Sequence, residues 1–240
     1  MTPVIGATCA WSVETWKHEE KEAGYMYAGS AYSWAIHRAG AMPLMVPVPP
    51  PDADLTSAAE CVLARVDGLL LTGGGGAKIR EGSGLPPLAA QQPRRYRFEN
   101  ILINRAAVMG IPIMGICRGH QMIAEVLGGS TRILVPPHAH LQEKPSWEPQ
   151  HVITVESGSL LSRVCGNDPW EVTSFHRQAV GVVPPGFRVS AFSKDGVIEA
   201  IEALGETFIV GLQFHPEYRW ELDERSRILF KAFVTQCRRE

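Results

Sequence analysis

Three side chains in this sequence have the types and placement to break an acyl bond. Cys117 ends the apolar run Ile113-Met114-Gly115-Ile116, and Gly119 follows two residues later. A strand that stops at a cysteine and turns sharply into a helix is the thiol counterpart of a nucleophile elbow. A thiol at a helix N-terminus also feels the positive end of the helix dipole, which favours thiolate. His215 and Glu217 follow a second apolar run at residues 208–214, with Pro216 stiffening the link between them. A cysteine nucleophile needs a base to take its proton, and the base needs a group that fixes its tautomer and stabilises its charge. Cys117, His215 and Glu217 supply those roles. Each alone has a plainer reading: a buried cysteine is usually core, and a lone glutamate is usually a solvated surface acid. Their joint position just past the ends of buried strands favours the chemical one.

The elements that must position them can be read from apolar periodicity. Residues 4–8 read as a first strand, 30–39 as a helix stopped by Gly40, and 42–48 as a second strand ended by Pro49, Pro50 and Pro51. Residues 55–65 read as a helix and 66–72 as a third strand. Between the first strand and helix, residues 11–30 read as a polar, aromatic loop that leads into the helix. Residues 78–95 are rich in Gly, Pro and Gln and read as irregular, followed by a helix over 97–109 and then the Cys117 elbow. Strands alternating with helices imply a parallel sheet, and ligands bind at the carboxyl ends of such strands. Cys117 lies at that end. So does Gly73-Gly74-Gly75-Gly76, directly after the third strand. Its exposed N–H groups could cradle a phosphate or an oxyanion. No Gly-Lys-Ser/Thr follows, so it is not a P-loop, and a plain surface turn is the alternative.

The second half reads differently. Strands are expected at 151–155, 171–176, 187–192 and 198–202, with an Asp-Gly hairpin turn at Lys194-Asp195-Gly196. A short helical turn is expected at 160–164. They form an antiparallel excursion before the sheet resumes at 208–214, and a terminal amphipathic helix covers 224–238. His138 and His140 lie in a Pro-rich loop and lack a third ligand at metal-binding spacing, so no metal is expected.

Composition bounds the function class. The chain has 240 residues, 45% hydrophobic and 20% charged, enough for a large α/β core, and no domain boundary stands out within 1–240. A formal charge of −2 argues against nucleic acid or an anionic membrane as partner. No apolar run reaches membrane-spanning length, and the N-terminus lacks the basic start of a signal peptide. Five scattered cysteines form no pairing framework, which fits a reducing compartment and a cytoplasmic protein.

Gly115-Ile116-Cys117-Arg118-Gly119-His120-Gln121 and Gln213-Phe214-His215-Pro216-Glu217 resemble the two signatures of the class I glutamine amidotransferase superfamily. Arg118 after the cysteine, Leu71-Thr72-Gly73-Gly74-Gly75, Phe98-Glu99, residues 174–180 and Ser226-Arg227-Ile228-Leu229-Phe230 narrow the resemblance to the gamma-glutamyl-gamma-aminobutyrate hydrolase family. It runs in order over nearly the whole chain. It implies a flavodoxin-like αβα sandwich and a cysteine hydrolase of gamma-glutamyl amides that needs no cofactor. A small-molecule gamma-glutamyl substrate, a role in polyamine catabolism and a homodimer are further implications. Cys117 would attack the gamma-carbonyl, His215 would relay the proton to the leaving amine, and Glu217 would orient His215. Backbone N–H groups of Arg118 and of the Gly74/Gly75 turn would hold the oxyanion, each such donor lowering a barrier by roughly 3–4 kcal/mol. By the same resemblance Gln121, Ser174 and His176 would hold the glutamyl group. The chain departs from the family at Gly76 and at Tyr96-Arg97, and residues 77–95 are unlike its pattern. That leaves the amine open. Trp11, Trp16 and Tyr25 admit an aromatic or bulkier amine than gamma-aminobutyrate. A glutaminase subunit feeding a synthetase, and a non-catalytic binding protein on the same fold, are the competing expectations.

Overall fold

The most apolar runs of the sequence become the middle strands of one sheet. The computed structural model describes residues 1–13, 24–74, 85–134, 140–141 and 145–238. From the N-terminus, β1 (Val4–Thr8) leads into β2 (Ala10–Val13) and β3 (Gly24–Tyr27), then α1 (Ser30–Arg38), β4 (Met42–Val46), α2 (Leu55–Leu63) and β5 (Gly68–Leu71). A short α3 (Leu88–Gln91) precedes α4 (Pro93–Val108), β6 (Ile113–Ile116) and α5 (Arg118–Val126). The second half runs β7 (Ser130–Ile133), β8 (His140–Leu141), β9 (His151–Val155), α6 (Leu160–Cys165), β10 (Trp170–Val172) and β11 (Phe175–His176). It continues through β12 (Gln178–Val182), β13 (Phe187–Ser193), β14 (Ile198–Ala203) and β15 (Ile209–Leu212). A 3-10 turn (Pro216–Arg219) and α7 (Glu224–Gln236) close the described chain.

The main sheet has the order β10-β9-β13-β14-β15-β6-β5-β1-β4, with β12 and β7 branching from β14. β15, β6, β5, β1 and β4 are mutually parallel, and the remaining pairs are antiparallel. This is the expected mainly parallel sheet with an antiparallel excursion. Every residue of β5, β6 and β15 is buried, as befits parallel strands covered on both faces. Alternation along these strands sends side chains to two cores. Leu70, Met114, Ile116, Val210 and Leu212 pack with Ile36 of α1 and Phe230 and Phe233 of α7. Leu69, Leu71 and Ile113 pack with Leu63 of α2, Leu102 of α4 and Ile123 of α5. Helices on both sides of the sheet make the expected αβα sandwich.

The structure corrects several boundaries. Residues expected as a loop after β1 form an antiparallel hairpin, β2 against β3; residues 14–23, with Trp16, lie outside the described ones. The long helix starts at Pro93 rather than 97, because proline suits the first helical position. That start, together with α3, converts the end of the supposedly irregular stretch into helix. The strand expected at 171–176 divides into β10 and β11, which belong to different sheets. It breaks where Thr173 turns its backbone and hydroxyl onto His215. β7 and β12 were not anticipated at all.

Candidate active site

The elbow is built by close backbone approach. Gly119, in the first turn of α5, lies so near β5 that an added Cβ would be 2.2 Å from the Leu71 carbonyl oxygen. A Cβ on Gly115 would lie 2.5 Å from the Gly119 carbonyl oxygen. Real side-chain carbons do not approach backbone that closely, so only glycine permits this turn. The conformation falls on Cys117 (φ 52, ψ −102), the one non-glycine residue with positive φ among the described residues. Its N–H is fixed by the Leu212 carbonyl at 2.7 Å. Strain stored at one residue, held by its surroundings, is a mark of functional positions.

His215 leaves β15 at the same edge of the sheet. Its N–H donates to the Thr173 carbonyl (3.0 Å), and its carbonyl accepts from the Thr173 hydroxyl (2.9 Å). Nδ1 lies 2.6 Å from Glu217 Oε1, with both side chains buried. The carboxylate can only accept, so Nδ1 carries a proton. Nε2 is then the ring nitrogen available to a thiol. Burial alone would depress the His215 imidazolium. The charges of Glu217 and Cys117 outweigh it and push its pKa up to about 10. Gly73 is where the parts meet: a Cβ placed there would lie 3.1 Å from His215 Cε1 and 3.3 Å from Cys117 Cβ. Its N–H donates to the buried Tyr32 hydroxyl at 3.0 Å. Burial, then the charges of Glu217 and Cys117, raise the Tyr32 phenol well above its usual value.

Cys117, His215 and Glu217 are therefore brought together as the spacing implied. Gly74 adjoins them with φ +75 and open space around its Cβ position, so its glycine is required by conformation and not by room. Gly75 lies outside the described residues, as does His138. The Arg118 N–H belongs to the first turn of α5, whose donors have no acceptor within the helix. The Arg118 side chain turns inward to the buried carboxylate of Glu99. Gln121 is buried, and its amide donates to the Gln178 carbonyl (2.6 Å) and Gln213 Oε1 (3.1 Å). Ser174 and His176 are buried on either side of Phe175. His176 Nε2 lies 3.6 Å from Glu199 Oε1. Sequence reasoning missed Thr173, Tyr32, Phe175 and Tyr218. The Phe175 and Tyr218 rings, each about a third exposed, lie with centroids 5.4 and 5.6 Å from the His215 ring. Both sit next to a residue singled out in the sequence, and Phe175 also lies within the 174–180 stretch that carries the family resemblance.

A thiol at a strained turn, an imidazole held by a carboxylate and a glycine beside both are the groups that acyl transfer through a cysteine requires. The family model for Peptidase C26 matches residues 3–217. The chain belongs to the Peptidase C26 family. It is accordingly a class I glutamine amidotransferase-like hydrolase. It is 34% identical over 221 residues to the gamma-glutamyl-gamma-aminobutyrate hydrolase of Escherichia coli K12, covering 86% of this chain and 84% of that one. A Mycobacterium tuberculosis protein, provisionally named a glutamine amidotransferase, is 32% identical over 97% of this chain and 74% of its own length. A Thermoplasma acidophilum structure, provisionally named as part of a GMP synthase, superposes with a TM-score of 0.66 at 19% identity. The match covers 99% of this chain and 94% of that one, and it supports the flavodoxin-like fold. Among the described residues no helix is long and apolar enough to cross a membrane.

Proposed function

We propose that this chain cleaves the gamma-glutamyl amide bond of a gamma-glutamyl amine, giving glutamate and the free amine through a thioester on Cys117. The observation that carries the reading is the meeting of Cys117 and a Glu217-anchored His215 at Gly73. The Cys117 sulfur attacks the gamma-carbonyl carbon, and the oxyanion forms against the Arg118 N–H and the glycine turn. His215, having taken the thiol proton, gives it from Nε2 to the departing nitrogen as the C–N bond breaks. His215 then deprotonates a water that attacks the thioester, and the sulfur leaves with that proton. Since the departing amine must sit at His215, the rings of Phe175 and Tyr218, each about a third exposed, flank its path. That setting favours an amine with an apolar or aromatic body. The name borne by the Escherichia coli relative supports the gamma-glutamyl half of the reading.

The test is glutamate release from a panel of gamma-glutamyl amines by the purified chain and by Cys117→Ala. We expect turnover without a partner protein and its loss in the variant. Absence of turnover across alkyl, aromatic and carboxylate-bearing amines would sink the proposal. The glutamine amidotransferase name of the Mycobacterium relative supports a second reading, a glutaminase that serves a synthetase. Ammonia release from glutamine that rises only on adding a synthetase would favour it.

A further inference from the structure

Behind the elbow a single carboxylate gathers two arginines in the core. Glu99 Oε1 accepts from Arg95 Nε (2.8 Å) and from the Thr8 hydroxyl (2.7 Å), and Oε2 accepts from Arg118. Arg95, Glu99 and Arg118 are all buried. Burial works against ionised Glu99, and the charges of Arg118 and Arg95 outweigh it and hold its pKa below the usual value. Burying three charges costs several kcal/mol of hydration for each ion, so such a cluster is a poor device for stability alone.

The free donors of Arg95 show a different use. Nη2 donates to the Thr72 carbonyl (2.7 Å) and hydroxyl (3.1 Å), and Nη1 to the Gly74 carbonyl (3.0 Å) and, longer, the Gly73 carbonyl (3.4 Å). Three successive carbonyls thus turn toward one guanidinium. In a trans peptide the C=O and the following N–H point in opposite directions. Drawing the Thr72 carbonyl onto Arg95 therefore throws the Gly73 N–H the other way. It is found there on Tyr32, whose hydroxyl lies with His215 and Cys117 against Gly73. Drawing the Gly73 carbonyl inward throws the Gly74 N–H away from the guanidinium in the same manner. Glu99 meanwhile holds the side chain of Arg118, whose N–H opens the helix at the nucleophile.

We propose that Arg95, anchored by Glu99, is a positioning residue that aims the N–H groups of Gly73 and Gly74 into the site and so completes the oxyanion-binding pair with Arg118. This rests on the acyl-transfer reading above, and its test separates the two. Arg95→Met and Arg95→Lys are compared with the parent chain by amide hydrogen exchange and by steady-state kinetics on the best gamma-glutamyl substrate. In Arg95→Met the Gly73 amide is expected to exchange about tenfold faster, the loss of one hydrogen bond, while the amides of β5 stay protected. kcat is expected to fall about 100-fold, as for loss of one oxyanion donor, with KM little changed. Arg95→Lys keeps the cation and is expected to recover part of both, and it is the variant judged if Arg95→Met does not fold. Unchanged Gly73 exchange, or unchanged kcat with a loosened turn, overturns the proposal. So does a loss of exchange protection spread evenly over the sheet. A parent chain that turns over no gamma-glutamyl compound sinks the functional reading, and the exchange pattern then judges Arg95 by itself.

Discussion

Replacing Glu217 with Gln keeps the size of the side chain and removes only its charge. In the parent chain the His215 pKa stands at about 10 against an ordinary 6.5. At 1.36 kcal/mol per unit, the folded site prefers the imidazolium by about 5 kcal/mol. Burial opposes that preference. The Glu217 carboxylate, 2.6 Å from Nδ1, is the largest group acting for it. Its loss is expected to lower the pKa by about 2 units or more. A raised pKa means that the protonated form prevails up to about 10 and is lost above it. The parent's kcat/KM for a gamma-glutamyl alkylamide, whose poor leaving group needs a proton, is therefore expected to fall only as pH rises through about 10. In Glu217→Gln that limb is expected at about pH 8 or below, with kcat/KM at its best pH reduced about 10²- to 10⁴-fold. Stability follows the same sign. The contribution is complete below 6.5 and lost as pH rises through about 10. The parent's Tm should thus drop more than the variant's over that window. A profile of kcat/KM against pH for both proteins decides the matter. An unmoved alkaline limb in the variant would refute the claim that Glu217 sets the charge on His215.

The remaining predictions concern the fold beneath the site. Gly119→Ala must move either α5 or the Leu71 carbonyl, since its Cβ would start 2.2 Å from that oxygen. A cost of about 3 kcal/mol is expected, with Tm down by roughly 6–12 °C and activity lost. Gly40→Ala, where φ is +96 but space is open, should cost about 1–2 kcal/mol and spare activity. Equal losses in thermal melts of the two would contradict the close-approach argument. Burial pushes the His120 imidazole down to about 3, against the opposing charge of Glu199. The unfolded chain takes up a proton near 6.5 that the folded chain refuses, so stability present above 6.5 is lost as pH falls toward 3. At pH 5 this amounts to about 2 kcal/mol. Urea melts of His120→Asn and the parent should therefore converge by about that much between pH 7 and 5, and parallel curves would exclude it.

What could be read in the sequence follows the range of the forces involved. β1, α1, β6 and the elbow were legible because apolar periodicity and glycine placement are local. The meeting of Cys117, His215 and Glu217 was legible because Cys117 and His215 each directly follow an apolar run, Glu217 follows His215 by two residues, and strand ends in a parallel sheet converge. Arg95 was not. It sits in a Pro- and Gln-rich stretch that reads as loop, and its partners are Glu99 in its own helix but Thr72, Gly73 and Gly74 in a distant turn. Only the helix start at Pro93 brings Arg95 and Glu99 to the i, i+4 spacing that lets them pair. β7 and β12 escaped for a similar reason. They are short strands paired mainly with each other, so tertiary contact and not local pattern decides them.

The division of the sheet also explains why the chemistry is easier to name than the amine. Cys117 and the glycine turn stand on β6 and β5, inside the parallel half, where both neighbours of each strand are fixed. His215 stands where that half meets the excursion. Its preceding residue but one, Gln213, is bonded through its N–H to the Glu199 carbonyl, and its own N–H is held by Thr173. His215 is thus gripped by the antiparallel half while it faces Cys117 on the parallel half. Phe175 follows Thr173 by two residues, and β11, which carries it, pairs among the described residues only with the two-residue β8. The ring that flanks the departing amine in the proposed reaction therefore hangs on a pairing of two residues, two residues past the clamp that fixes His215. On the proposed reaction, substitutions at Phe175 are expected to change the amine accepted without disturbing His215. Substitutions at Thr173 cannot, because its carbonyl and hydroxyl both bear on the His215 backbone.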